Sequence, residues 1–308
     1  MLTDSQIMNS LTLFAYNSAE FLREVSKKGT SSDIEFFERK SDDLILTIVN
    51  PNRYPEKISS LTDSIFPSDV ALVNVTQLNR DLGEVIVGLD LMGPDTGFIT
   101  FDDPNMIDQV KQVIRGTRLE KYVISEKPPM ELVEDISGIR TKKSNSNPCV
   151  VIDHFFQVRG VGTVALGFVI SGIIRKHQEM EISYLNRKAQ IRSIQMHDVD
   201  VDEAGPSSRV GLALKNVDSE ELQRGMMLTE APLNKFDSIA SSIAYHKSVR
   251  KVPENIFEVF ISDAMRYQRG SYDGQTLTLD SPLQTNQKYM TLASNMLSPR
   301  LFGRIRLS

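Results

Sequence analysis

Residues 11–140 alternate short apolar runs with stretches of helical period. LTLFAY (11–16) is continuously apolar, the pattern of a strand buried on both faces. SAEFLREVSKKG (18–29) predicts a helix, with Ser18 at the N-cap, Phe21, Leu22 and Val25 on one face and Gly29 at the stop. IEFFERK (34–40) and DLILTIVN (43–50) predict strands, and PEKISSLTDSIF (55–66) an amphipathic helix with Pro55 in its first turn. Further on, strands are predicted over 70–77, 96–103 and 121–126, and helices over 83–93, 105–117 and 130–139. Such alternation predicts βαβ units around a mostly parallel sheet.

At TKKSNSNP (141–148) the pattern changes to an exposed linker, and helical period nearly vanishes after it. CVVIDHFFQV, GTVALGFVI, QEMEISYL, KAQIRSIQMHD and RVGLALKNV are short strand-like runs with turn signals between them; only SEELQRG (219–225) reads as a helical turn. This is the pattern of a small all-β barrel. The glycines at 160 and 162 suggest a phosphate loop, but β-branched Thr163, Val164, Val169 and Ile170 follow, and no Lys-Ser or Lys-Thr does. They fit a hairpin turn instead. APLNK (231–235) is a second hinge, and 235–308 is again short strands. In the last of these, Leu301, Ile305 and Leu307 are expected to face the core, and Phe302, Arg304 and Arg306 the outside.

Composition adds bounds. The 308 residues suffice for two or three domains, and hydrophobic content of 40% with 24% charged residues is ordinary for a globular protein. The single cysteine, Cys149, allows no disulfide within the chain and suits a reducing, cytoplasmic setting, where it is expected to be a small buried hydrophobe. No apolar run is long enough for a membrane span, and the start lacks the basic region of a signal peptide. Residues 1–146 carry 16 basic against 23 acidic groups, and residues 232–308 carry 10 against 6. A polyanion would therefore meet the rear, although so small an excess is also ordinary scatter. The four histidines lack metal-ligand spacing, and the acidic stretch Asp198, Asp200, Asp202, Glu203 lacks a calcium-loop glycine.

One long run of residues carries a family resemblance. His154-Phe155-Phe156-Gln157-Val158-Arg159-Gly160-Val161-Gly162-Thr163-Val164 is followed by Gly167 and Gly172-Ile173-Ile174. Then come Ile191-Arg192-Ser193-Ile194-Gln195, Ala204-Gly205, Arg209-Val210-Gly211-Leu212-Ala213-Leu214 and Arg224-Gly225-Met226. Segment 149–228 thereby resembles domain 2 of the EF-Tu class of translational GTPases, especially the archaeal selenocysteine-specific elongation factors. The resemblance implies α/β plus all-β architecture: a degenerate P-loop GTPase-like α/β domain (1–143), an EF-Tu domain 2-like β-barrel (144–231) and a domain 3-like β-barrel (232–308).

The family's first domain binds GTP and magnesium through a Gly-His-x-Asp-His-Gly-Lys-Thr loop. The corresponding Tyr16-Asn17-Ser18-Ala19-Glu20 has no glycine and no lysine, and brings an acid. The switch motif Asp-x-Pro-Gly-His corresponds to Asn50-Pro51-Asn52-Arg53-Tyr54, with Tyr54 where the family has its water-positioning histidine. The base-reading motif is reduced to Thr100-Phe101-Asp102-Asp103, and Ser125-Glu126-Lys127 keeps the outline of Ser-Ala-Lys. Each charge-assisted hydrogen bond lost this way is worth about 1.5–3 kcal/mol. The front is thus expected to have lost GTP chemistry, with no cofactor and no metal. Asp103 and Ser125 either still hold a guanine base or pack as loop residues.

The resemblance also implies tRNA or the ribosome as partners. Arg192, Arg209 and Arg224 are candidates on the domain 2-like barrel, and Arg250, Lys251, Arg300, Arg304 and Arg306 on the rear one. A solvated edge strand explains rear arginines equally well. Hairpin-RNA recognition through the C-terminal extension of selenocysteine-specific factors is not expected of a chain ending at Ser308. The expected function is a translation-factor-like RNA binder without GTP hydrolysis; the alternatives are an active GTPase using GTP and magnesium in an unorthodox site, and a protein-binding scaffold.

Overall fold

A computed structural model describes residues 9–41, 44–140 and 146–307; Asp43 and the linker residues 141–145 lie outside that range. The first body contains β1 (Asn9–Tyr16), α1 (Ala19–Val25), β2 (Lys27–Ser31), β3 (Glu35–Lys40), β4 (Leu44–Asn50) and α2 (Ile58–Ile65). It continues with β5 (Val70–Val75), α3 (Arg80–Met92), β6 (Gly97–Phe101), α4 (Ile107–Ile114), β7 (Val123–Ile124) and α5 (Pro129–Ser137). The strands form one sheet in the order β2-β3-β4-β1-β5-β6-β7. β4, β1, β5, β6 and β7 run parallel, while β2 and β3 are antiparallel additions.

The apolar run of β1 is continuous because both faces are covered. Leu11, Leu13 and Ala15 pack with Phe21 and Leu22 of α1 and Leu132 and Ile136 of α5. Phe14 and Tyr16 point the other way, against Leu61 and Ile65 of α2 and Val85 and Leu89 of α3. This places β1 centrally, with its carboxyl end opening on a crevice where the connections diverge. One expected element differs. The helix predicted over 18–29 ends at Val25, and Lys27–Ser31 is a wholly exposed edge strand containing Gly29. A polar strand held only by its hairpin partner carries no apolar alternation, so the helix period of the preceding turns extends over it in the sequence.

The second body comprises β8 (Cys149–Val158), β9 (Gly162–Ser171), β10 (Ile174–Arg175), β11 (Glu179–Ile182), β12 (Arg187–Met196), β13 (Val199–Val201), β14 (Glu203–Ala204), β15 (Arg209–Lys215) and β16 (Met227–Thr229). The order β11-β16-β8-β9-β15-β12 closes through a β11–β12 pairing into a six-stranded barrel. Gly160 and Gly162, at φ +80° and +99°, turn the β8–β9 hairpin, the role expected of them. Gly167 serves a different need: a Cβ there would lie 2.5 Å from the Val151 carbonyl oxygen of the neighbouring strand.

The third body comprises β17 (Asn234–Ala240), β18 (Ile243–Tyr245), β19 (Phe257–Asp263), β20 (Arg266–Tyr272), β21 (Thr276–Thr285), β22 (Tyr289–Ala293) and β23 (Leu301–Arg306). Their sheet order is β17-β21-β20-β19-β22-β23-β18. The two edge strands follow one another in the chain and bury Ile239 and Ile243 in one core, so the sheet curls back on itself. Phe302 is not outward as expected but fully buried, against Tyr245 and Phe257 at ring separations of 5.9 and 6.0 Å. The reason is a bulge: Leu301 and Gly303 pair with adjacent Ala293 and Leu292, so the side-chain alternation slips at Phe302. Leu301 is left to insert into the core of the first body, beside Ile65, Leu61 and Gly88.

Because Leu301 belongs to the third body but fills a hole in the first, Leu301→Ala opens a cavity between them. The substitution is expected to cost about 2–5 kcal/mol, read as a lowered urea midpoint.

Candidate functional site

The crevice at the carboxyl ends of β1, β5, β6 and β7 is a cavity of about 590 Å³. Asn17, Glu20, Asn74, Thr100, Asp102 and Ser125 are among its lining residues. The chain leaves β1 through Asn17 at φ +54° and enters the short helix α1 directly, with Ser18 donating to the Tyr16 carbonyl at 2.9 Å. There is no loop long enough to encircle a phosphate. Tyr16 is 8% exposed, and its ring meets that of Tyr54 edge-on at 5.9 Å.

Polar groups in the crevice largely satisfy one another. Asn74 donates through Nδ2 to the Asn17 carbonyl at 3.2 Å and to Asp102 at 2.8 Å, and accepts from Thr100 at 2.9 Å. Lys127 lies at the rim, but its ammonium is engaged by Asp135 at 2.6 Å. The lining carboxylates Glu20, Asp102 and Glu126 thus face the space with little cationic counterweight. The remaining sequence candidates are placed as follows. Ser125 is buried in the lining, and its hydroxyl accepts from the Lys127 N–H at 3.3 Å. Asp103 is absent from the lining: its carboxylate accepts from Asn105, capping a short 3₁₀ turn. Asn50 lies outside it too, donating to Glu35 at 3.1 Å.

Tyr54 is built into the scaffold. Its hydroxyl donates to the Asp81 carbonyl at 2.7 Å and lies 3.3 Å from Glu84. Glu84 is 3% exposed and accepts from the Arg300 Nε of the third body at 3.1 Å. Burial, and then the Glu84 charge, push the Tyr54 phenol well above its ordinary range. Asn74 was not among the sequence candidates, and Thr100 and Asp102 entered only as members of the reduced base-reading motif. Asn74 was signalled by its place as the one polar residue within VALVNV.

Three of the candidate RNA-contacting arginines join the bodies instead of facing outward. Arg300 meets Glu84 as described. Arg209 holds Asp153 at 2.8 Å, and its guanidinium lies 4.0 Å from the Phe36 ring centre of the first body. Arg224 bridges to Asp33 at 2.7 Å and to Asp63 at 3.2 Å, both in the first body. One guanidinium cannot neutralise two carboxylates. Burial alone would raise Asp33, but Lys57 and Arg224 overcome it and hold that carboxyl well below the usual range. Burial pushes Asp63 up to about 7 against the pull of Arg224. Arg192, Arg250, Lys251, Arg304 and Arg306 are exposed; Arg192 reaches back to the Val161 carbonyl at 3.0 Å. Cys149 is buried, and burial pushes its thiol up to about 11.

Comparisons with known proteins agree with the barrel. Residues 162–229 match the family model of elongation factor Tu domain 2. The protein MJ0325 of Methanocaldococcus jannaschii is 35% identical over 246 residues, covering 79% of this chain and 80% of that one. The selenocysteine-specific elongation factor of the same organism is 28% identical over 249 residues, covering 73% of this chain. The chain belongs to the SelB/EF-Tu-like family of translational GTPases. The match spans only 53% of that selenocysteine-specific factor. Among solved structures, the elongation factor SelB of Methanococcus maripaludis, in complex with a GTP analogue, covers 97% of this chain with a TM-score of 0.78 and 18% identity. The fold is therefore that of SelB: an α/β body followed by β-rich bodies. Among the described residues no helix is long and apolar enough to cross a membrane, and no group of three or more potential metal ligands occurs.

Arg209 is the partner of Asp153, whose side chain is 1% exposed. Arg209→Ala strands that charge and is expected to cost about 3–5 kcal/mol. Arg209→Ala/Asp153→Ala is expected to recover part of the loss, measured as a double-mutant cycle in urea.

Proposed function

We propose that this protein is a translation-factor-like RNA binder that neither holds nor hydrolyses GTP. In this reading its regions 1–143, 144–231 and 232–308 act as a nucleotide-free α/β domain and two barrels. The observation that carries the proposal is the crevice at the end of β1. A triphosphate brings several negative charges that require a ring of N–H groups, a lysine and a magnesium ion. Here the crevice carries Glu20, Asp102 and Glu126, and its one lysine is already paired with Asp135. Tyr54, at the position that handles water in the family, is fixed by Asp81 and by the Glu84–Arg300 pair.

The partner class comes from family membership: a tRNA or the ribosome, met by the exposed arginines and lysines of the barrels. Arg192, Arg250, Lys251, Arg304 and Arg306 are the available cations among the candidates. Arg209, Arg224 and Arg300 serve the binding surface indirectly, by fixing how the bodies sit.

Two titrations test this. Labelled GTP and GDP with excess magnesium are expected to show no saturable binding up to about 100 μM; micromolar affinity favours the active-GTPase alternative. tRNA and ribosomal subunits are expected to bind with an affinity that falls log-linearly with salt. Absence of binding even at low salt favours the protein scaffold.

A further inference from the structure

A second cleft lies between the first and third bodies, away from the crevice at β1. Its volume is about 410 Å³. The end of α3 and the segment before β7 form one wall, and β18 and β23 the other. Four cationic side chains reach it: Arg118 and Lys121 from the first body, Lys247 and Arg304 from the third. Against them stand two carboxylates, Asp90 and Asp95, both already engaged. Asp95 pairs with Arg118 at 3.0 Å. Asp90 accepts from the Arg118 N–H at 2.6 Å and lies 3.0 Å from the buried His246 Nε2. The Lys247 ammonium also donates to the Arg115 carbonyl, tying the walls together.

Aromatic surface flanks this charge. Tyr245 lines the cleft and is 38% exposed, backed on its inner side by the buried Phe302 ring. Tyr289 is 54% exposed, and the Arg304 guanidinium lies 5.8 Å from its ring centre. Tyr289 sits directly opposite Arg306 across the β22–β23 pair. A concave site with cations and open aromatic faces matches the chemistry of a nucleotide: a phosphate for the cations, a planar base for the ring.

We propose that this cleft binds a nucleotide unit, with its phosphate against Lys121, Lys247 and Arg304 and its base on Tyr245. The occupant is either a residue of an RNA strand or a free nucleotide. The strand is favoured because the cationic and aromatic surface continues out of the cleft through Tyr289 and Arg306. This rests on the RNA-binding reading above and names the surface that serves it.

The test uses the full-length chain with two probes, a fluorescein-labelled single-stranded RNA of about 15 nucleotides and a fluorescent nucleoside monophosphate, at about 50 mM salt. Lys121→Glu/Arg304→Glu changes two exposed side chains, and a thermal melt checks that it folds. It is expected to weaken RNA binding at least about tenfold and to reduce the salt slope by about 1.4, two phosphate contacts' worth for a single strand. Tyr245→Ala is expected to weaken binding at least about fivefold by loss of stacking. Arg23→Glu, an exposed position on α1 of the first body outside the candidate binding residues, is expected to change it less than about twofold. RNA binding unchanged in the folded double variant overturns the cleft and leaves the RNA-binding reading standing. Binding of the monophosphate alone, lost in the double variant, keeps the cleft and overturns the RNA-binding reading. Failure of both probes to bind the unaltered chain overturns the cleft itself.

Discussion

Three arginines at the seams between bodies, each paired with carboxylate, fix the arrangement on which every surface of this protein depends. Arg224 reaches Asp33 and Asp63, and Arg300 reaches Glu84, from one body to another, while Arg209, paired with Asp153 of its own body, lies over Phe36 of the first. Ion pairs like these are poor sources of net stability, since desolvation offsets most of the attraction. They are effective at penalising the wrong arrangement, because separating the bodies without full hydration leaves a buried charge alone. Leu301 adds an apolar peg between the first and third bodies, and Phe36 meets Phe168 between the first and second at 6.1 Å. The cleft lined by Lys121 and Arg304 exists only while the first and third bodies keep this geometry.

In GTPases, a γ-phosphate and its magnesium ion hold the switch segments and release them on hydrolysis. In this chain Tyr54, which the sequence resemblance sets at the switch motif, is held by protein groups. Tyr54 is tied to Asp81 and set against Glu84, and Glu84 to Arg300. The space a phosphate loop would enclose is reduced by the direct step from Asn17 into α1 and by the packing of Tyr16 on Tyr54. The fold's usual crevice persists, but its residual polarity is internal and acidic. In the proposed reading, a polyanion meets the exposed cations elsewhere, away from the ends of the parallel strands.

Much of the fold could be read from the chain because local pattern and burial coincide. β1 is continuously apolar and buried on both faces, and the β8–β9 hairpin carries glycines where positive φ is required. The hairpin strand Lys27–Ser31 was illegible, since a fully exposed strand leaves no alternation. Phe302 was misread because a bulge is a property of strand pairing, not of the strand's own sequence. The site was less legible than the fold for a related reason. Arg209, Arg224 and Arg300 read as outward cations, yet their partners are 56, 191 and 216 residues away. Only the folded chain reveals that those charges are neutralised, Arg209 within its own barrel and Arg224 and Arg300 across bodies, or that Lys121 and Arg304 share a cleft.

The central claim is that protein contacts, not a bound nucleotide, set the relation of the three bodies. Its most direct test is the distance between spin labels on exposed Glu134 of α5 and Arg159 at the β8–β9 turn, measured with and without saturating GTP and magnesium. The account predicts one distance distribution, unchanged by nucleotide and broadened by Arg209→Ala. A distribution that shifts when GTP and magnesium are added would contradict it.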